Sequence, residues 1–179
     1  MEAYGLFKKE YLYVSLAIIL VISLAVFIVS RSPQIETVYP EERLILEADD
    51  FIICADEEQF IVGQTSWDEA MIIFPAGKML GKSTVYHPDG LPVYLTFSED
   101  ENILIGVHIF GPGLATSRGV AVGDSPDQAV QQYGENYVRF SQKNSSNQDY
   151  DMLYGENDNT VIFQIRNEII DKIVIQHTI

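Results

Sequence analysis

Two stretches of the chain, about sixty residues apart, begin with similar short sequence motifs. The first stretch is residues 61–70, IVGQTSWDEA, and the second is residues 121–129, AVGDSPDQA. Each leads within a few residues to an aromatic residue followed by a helix breaker, Phe74-Pro75 and Tyr133-Gly134. An internal repeat constrains the whole fold, because each copy must form an equivalent unit. The sequence therefore predicts two tandem repeats, residues 51–110 and residues 111–179.

Each copy opens with signals for the start of a helix. Ser125 is a favourable N-cap, Pro126 suits the first helical position, and Gln128 completes a capping box. Thr65 and Asp68 form the same arrangement less perfectly in the first copy. Gly63 and Gly123 stand just before the two helices, where a positive φ or a close approach of the backbone would explain glycine.

After each helix signal the apolar residues alternate, as they do in strands with one buried face. The predicted strands are residues 83–86, 92–97 and 103–110 in the first copy, and 137–141, 150–154, 160–165 and 169–176 in the second. Neither half can bury its apolar side alone. We therefore predict an α+β fold, in which two helix-plus-meander repeats share one antiparallel sheet with the helices on one face.

The N-terminal part of the chain predicts a membrane anchor. Residues 11–30 carry no charge, and roughly 20 apolar residues at ~1.5 Å per residue cross a ~30 Å hydrocarbon core. Lys8 and Lys9 precede this run and Arg31 follows it, which places residues 1–10 in the cytoplasm. Residues 31–50 then form a juxtamembrane spacer. A cleaved signal peptide is the alternative, but the run lacks the small-residue exit of a cleavage site.

The net charge of −15 excludes one large class of partners. Such an acidic chain is repelled by nucleic acid and by anionic lipid headgroups. Cys54 is the single cysteine, so the chain has no internal disulfide and no thiolate metal site. These features fit a single-pass protein whose body lies outside the cell membrane.

The residues of both copies resemble a known family. The Val-Gly helix start, the aromatic residue near the helix end and the three-stranded meander are similar to the SmpA/BamE-like domain. The tandem form resembles the fold of the β-lactamase inhibitory protein, over residues 51–179. The resemblance implies an extracytoplasmic, non-catalytic module that binds another protein of the bacterial envelope. The chain departs from the lipoprotein members because no cysteine follows the apolar run to accept an acyl group.

The sequence contains no set of residues that predicts catalysis. His87, His108 and His177 do not have the spacing of a metal motif, and the acidic residues lack the spacing of a calcium loop. We therefore predict no catalytic, cofactor-binding or metal-ligating residues, and no enzyme. An envelope-associated sensor of a cation or small ligand is the alternative function, followed by an envelope enzyme.

Tyrosines in the predicted strands give a hypothesis about the binding surface. Tyrosine has an apolar ring and a polar tip, and it is enriched at binding hot spots. An antiparallel sheet covered by helices on one side leaves its other face to solvent. We predict that Tyr86, Tyr94, Tyr150 and Tyr154 contribute to a protein-binding sheet face.

Overall fold

A computed structural model describes residues 35–42, 44–55, 58–142 and 149–177. In these residues the chain forms two α-helices, α1 (Trp67–Ile73) and α2 (Pro126–Tyr133), and one short 3-10 helix (Ala48–Phe51). The strands are β1 (Ile35–Val38), β2 (Ile52–Ala55), β3 (Glu58–Ile61), β4 (Gly77–Met79), β5 (Val85–Pro88), β6 (Val93–Phe97), β7 (Leu104–Ile109), β8 (Ala115–Thr116), β9 (Val138–Gln142), β10 (Tyr150–Glu156), β11 (Asn159–Arg166) and β12 (Ile169–Gln176).

Nine of the strands form one antiparallel sheet. Their order is β1-β9-β10-β11-β12-β7-β6-β5-β4, so the series β4 to β7 and the series β9 to β12 meet where β7 pairs with β12. The strands β3, β2 and β8 form a separate three-stranded sheet. Asparagines with positive φ at positions 102, 157 and 167 lie in the turns of three hairpins, where asparagine tolerates this conformation.

Both helices begin at serine caps and end at breakers. The hydroxyl of Ser66 accepts a bond from the amide of Glu69, whose carboxylate accepts from the amide of Ser66, so this capping box lies one residue later than predicted. The hydroxyl of Ser125 accepts from the amide of Gln128, which confirms the predicted N-cap but forms only half of the predicted capping box. Pro75 follows the end of α1, and Gly134, with φ of 86°, ends α2.

The main core lies between the nine-stranded sheet and the elements packed on one of its faces. On this covered face, the ring of Phe97 contacts Trp67 of α1, and the ring of Phe163 contacts Tyr133 of α2. Phe60 of β3 is buried in the same cluster. The other face carries Thr96, His108 and Ile162, because side chains alternate along each strand. We call it the open face.

The predicted α+β class is wrong. Of the described residues 47% are in strands and 14% in helices, and the nine-stranded sheet dominates the fold instead of two helix-plus-meander repeats. The breakers limit the helices to seven and eight residues, which makes them minor elements. Strands β1, β2, β3, β4 and β8 are also absent from the repeat pattern, and β1 pairs with β9 from inside the predicted spacer.

The predicted transmembrane topology also requires correction. Among the described residues, no helix is both long enough and apolar enough to cross a bilayer. This finding contradicts the predicted single-pass anchor and the membrane location that depended on it. The residues assigned to the anchor, 11–30, lie outside the described part of the chain, as does the predicted cytoplasmic segment 1–10.

Candidate functional site

Two of the four tyrosines predicted to bind a partner are core residues. Tyr86 and Tyr154 are 4% and 0% exposed, and both rings lie on the covered face. The Tyr86 hydroxyl donates a 3.0 Å bond to the carbonyl of Phe74, and the Tyr154 hydroxyl donates a 2.8 Å bond to the carbonyl of Gly134. Burial raises the pKa of both phenols. Each tyrosine therefore fixes the end of one helix on the sheet.

The other two tyrosines lie on opposite faces of the sheet. Tyr150 is half-buried on the covered face, where the guanidinium of Arg139 lies 3.9 Å from its ring centroid. Tyr94 lies on the open face, because it pairs directly with His108. The four tyrosines therefore do not share one surface, and only Tyr94 remains as part of a candidate site.

A row of mainly apolar side chains crosses the open face. The cross-strand partners that form it, from β9 to β6, are Val138, Leu153, Ile162, Val174, His108 and Tyr94. Six strands at a spacing of ~4.8 Å give the row a length of about 24 Å. We call it the transverse row. Sequence alternation predicts which residues point to the open face, but it does not reveal which strands are neighbours, so the row was not predicted.

Polar side chains border the transverse row on both sides. Gln164 and Lys172 are cross-strand partners on one side, and the exposed Gln176, whose partner Thr160 is buried, stands on the other. Antiparallel sheets that face water carry such polar residues. The transverse row is therefore a narrow, mainly apolar stripe between polar side chains. Its length and width match those of an extended polypeptide segment.

An aromatic cluster marks one end of the transverse row. The ring centroid of Tyr94 lies 5.0 Å from that of His87 and 4.7 Å from that of Phe110. The side chain of Phe110 is 36% exposed. Exposed aromatic rings that are held in place by their neighbours are typical anchors for a partner protein.

A pocket of about 440 Å³ lies beside the row on the open face. Thr96, Gly106 and Gln176 line it from three neighbouring strands, and His108 belongs to both the pocket and the transverse row. Burial, reinforced by the positive charge of Lys172, lowers the pKa of His108. The imidazole is therefore neutral at pH 7.

A second pocket, of about 390 Å³, contains Cys54 and a buried ion pair. Asp50 is 2% exposed, and both of its carboxylate oxygens accept hydrogen bonds from Arg118. The thiol of Cys54 is partly exposed and accepts a 3.7 Å bond from the side chain of Gln59. Because Asp50 and Arg118 already satisfy each other, this pocket offers fewer free polar groups than the first.

The histidines and acids do not come together as ligands. In the part of the chain that the structure describes, no three histidine, cysteine or acidic side chains are grouped so as to hold a metal ion. His177 stacks on Phe51 at 4.6 Å, and its Nδ1 lies 2.5 Å from the side-chain oxygen of Asn159. Asp56 and Glu57, which belong to one acidic cluster of the sequence, lie outside the described residues.

Comparisons with known proteins do not assign the chain to a family. No family model matches the sequence, and no curated protein matches it. A solved structure of a DUF4309 family protein, YjgB from Bacillus subtilis, aligns with a TM-score of 0.42 and 15% identity over 66% of this chain and 82% of that chain. This similarity is too low to support an argument. The resemblance to the SmpA/BamE-like domain stays a prediction.

Proposed function

We propose that the chain is a non-catalytic protein-binding module and that its open face is the binding surface. The observation that carries the proposal is the transverse row, a mainly apolar row on the side of the sheet that faces away from both helices. Val138 and Val174 are buried within it, at 2% and 7% exposed. Leu153, Ile162 and Tyr94 are each partly exposed within it. A partner that covers the row removes this apolar area from water, which favours association by ~25 cal/mol per Å² before the costs of binding.

The dimensions of the row indicate the form of the partner. A length of about 24 Å corresponds to roughly seven residues of extended chain at ~3.3 Å per residue. The aromatic cluster of His87, Tyr94 and Phe110 forms a broad apolar platform at one end. An extended segment that lies across the strands therefore fits the surface better than a helix does.

The histidines support a binding role over a catalytic one. The ring of His87 packs in the aromatic cluster, and the ring of His177 is stacked on Phe51. The imidazole of His108 lies between Val174 and Tyr94 in the transverse row. Each imidazole thus packs against a ring or an apolar side chain and does not activate a nucleophilic side chain.

Site-specific photo-crosslinking tests the proposal in the cells that make the protein. The full chain carries a photo-reactive phenylalanine analogue at position 162 or 94, and a control chain carries it at Gln131, which is exposed on α2. We expect the two open-face positions to join one and the same polypeptide, and position 131 not to join it. Equal crosslinking from all three positions would overturn the open face as the binding surface.

Substitutions then measure the contribution of the face to affinity for the crosslinked polypeptide. Ile162→Glu places a charge in the middle of the row and should weaken binding at least tenfold. Ile72→Glu is the matched control, because Ile72 is 81% exposed on α1. Tyr94→Ala provides a second variant if Ile162→Glu lowers the melting temperature. Unchanged affinity in both open-face variants would exclude the proposal.

A further inference from the structure

Gly106 occupies a strand position beside the register shift between β6 and β7, and there is space there for a small side chain. It lies inside β7, and its φ is not positive. A Cβ atom at this position would lie 3.5 Å from the Cβ of Thr96, which is an ordinary contact. Glycine inside a strand loses more conformational entropy on folding than alanine does. Such a glycine often marks a bulge, as the register shift here shows, or a place where a ligand or another backbone approaches closely.

The missing side chain leaves the floor of the first pocket open. Thr96 and Gln176 stand on the two neighbouring strands at the same level as Gly106, and His108 stands one step along β7. A volume of about 440 Å³ is larger than one amino-acid side chain requires and lies within the range of ligand sites. We call this cavity the Gly106 pocket.

Carboxylates rim the Gly106 pocket from two separate turns. Asp100 and Glu101 come from the turn between β6 and β7, and Asp158 comes from the turn between β10 and β11. Lys172 stands across the transverse row on the open face, and its positive charge reaches His108. Among the described residues, the pocket lining itself contains three carboxylates and no lysine or arginine, so the potential at the pocket mouth is negative, in a chain whose net charge is −15. Charge complementarity favours a positive group here.

We propose that the Gly106 pocket receives one basic side chain, arginine or lysine, from an extended partner segment that lies along the transverse row. This inference rests on the proposed function and specifies the chemistry of the partner. His108 sits between the row and the pocket, so a segment on the row passes directly beside the pocket mouth. A polar side chain of Thr96 or Gln176 then faces the entering stem, and the rim carboxylates pair with its charged end.

Two synthetic nonapeptides test the requirement for a positive charge. One alternates serine and valine with arginine at its centre, and the other has citrulline, a neutral isostere, in place of the arginine. Both are titrated against the full chain at low ionic strength. The rim carboxylates are exposed, and exposed ion pairs are weak one at a time, so we expect the arginine peptide to bind about three- to fivefold more tightly. Equal affinities, or no binding of either peptide at millimolar concentration, would overturn the inference.

Variants of the pocket separate its contribution from that of the row. Gly106→Thr fills the floor with a residue that favours strands, and it should remove the advantage of the arginine peptide while the melting temperature is kept. The triple variant Asp100→Asn, Glu101→Gln and Asp158→Asn should do the same. The control Glu41→Gln, Glu58→Gln and Glu135→Gln removes the same charge from exposed positions outside the pocket and should retain the advantage.

The failure of this inference is distinguishable from failure of the proposed function. Suppose that Ile162→Glu weakens binding of the crosslinked polypeptide but the two peptides bind with equal affinity. The open face then binds proteins without a basic side chain in the pocket. If n-butylguanidinium alone binds the pocket as tightly as the arginine peptide, the pocket takes a small cation and the role of a partner segment is refuted.

Discussion

The imidazole ring of His177 occupies the space that a side chain at position 63 would need. Gly63 has φ of 90°, and a Cβ atom built on it would overlap the ring. The amide of Gly63 also donates a 2.6 Å bond to the carbonyl of Leu104. Two features therefore require glycine at this position: the backbone conformation and the close approach of the His177 ring.

A matched pair of substitutions separates these two requirements. Gly123 has φ of 99° but open space where a Cβ would lie. Gly123→Ala should lower the free energy of unfolding by about 1–2 kcal/mol, from the positive φ alone. Gly63→Ala should cost roughly 1–3 kcal/mol more, because the ring must move. Urea denaturation measures both. In a His177→Ala background the ring is absent, so Gly63→Ala should there cost no more than Gly123→Ala does. Equal effects of the two alanines in the parent chain would contradict this account.

The two buried tyrosine hydroxyls should matter for stability and not for binding. Tyr86→Phe and Tyr154→Phe each leave a carbonyl at a helix end without its donor. Leaving such a buried group unsatisfied costs about 1–3 kcal/mol, and chemical denaturation should show a loss of this size for each variant. Tyr94→Phe, on the open face, is the control and should change the unfolding free energy by less than about 0.5 kcal/mol. Loss of partner binding with unchanged stability in Tyr86→Phe would refute a core role.

Local patterns in the sequence predict several individual strands correctly, although the predicted α+β class is wrong. The alternation in residues 92–97, 160–165 and 169–176 matches β6, β11 and β12, because each of these strands has one buried face. The positive φ of Gly63 and Gly123 is confirmed. These features depend on residues close in sequence, so the chain itself specifies them.

Local sequence patterns do not show which strands pair when they are far apart in the chain. Residues 35–38 lie in the spacer that prolines and scattered acids predict, yet they form an edge strand through backbone bonds to β9. The transverse row depends on β7 lying beside β12, a contact between segments about 65 residues apart. Tyrosine content alone also could not show that Tyr154 points to the core and Tyr94 to the open face. That difference follows from which strand positions the helices cover.

The charge of His108 should make stability depend on pH. Burial, together with repulsion from Lys172, lowers its pKa below the ordinary value of 6.5. The unfolded chain therefore takes up the proton first as the pH falls, so the stability linked to His108 is complete above about pH 6.5 and is lost as the pH falls toward the lowered value. His108→Gln should flatten the melting temperature between pH 7 and pH 5 relative to the parent chain. Identical pH profiles would show that the imidazole is not desolvated.

The ion pair between Asp50 and Arg118 should be the most costly single polar contact to break. Arg118 donates from Nε at 2.5 Å and from Nη2 at 2.9 Å to the Asp50 carboxylate, and from Nη1 at 2.9 Å to the carbonyl of Gln132 in α2. The pair thus ties the 3-10 helix and the turn after β8 to the second helix.

Removing either member of the ion pair leaves the charge of the other without a partner in a largely buried site. Arg118→Leu leaves the Asp50 carboxylate, which is 2% exposed, without its positive partner. It should lower the free energy of unfolding by about 3 kcal/mol. This value is at the lower end for buried ion pairs because Arg118 keeps contact with water. Asp50→Asn should lower the free energy of unfolding by about 2 kcal/mol, because the amide oxygen can still accept one of the bonds from Arg118. In the double variant the two losses should not add, since neither charge is left alone. A double-mutant cycle by urea denaturation measures the coupling, and strict additivity would mean that the pair contributes nothing beyond its separate contacts.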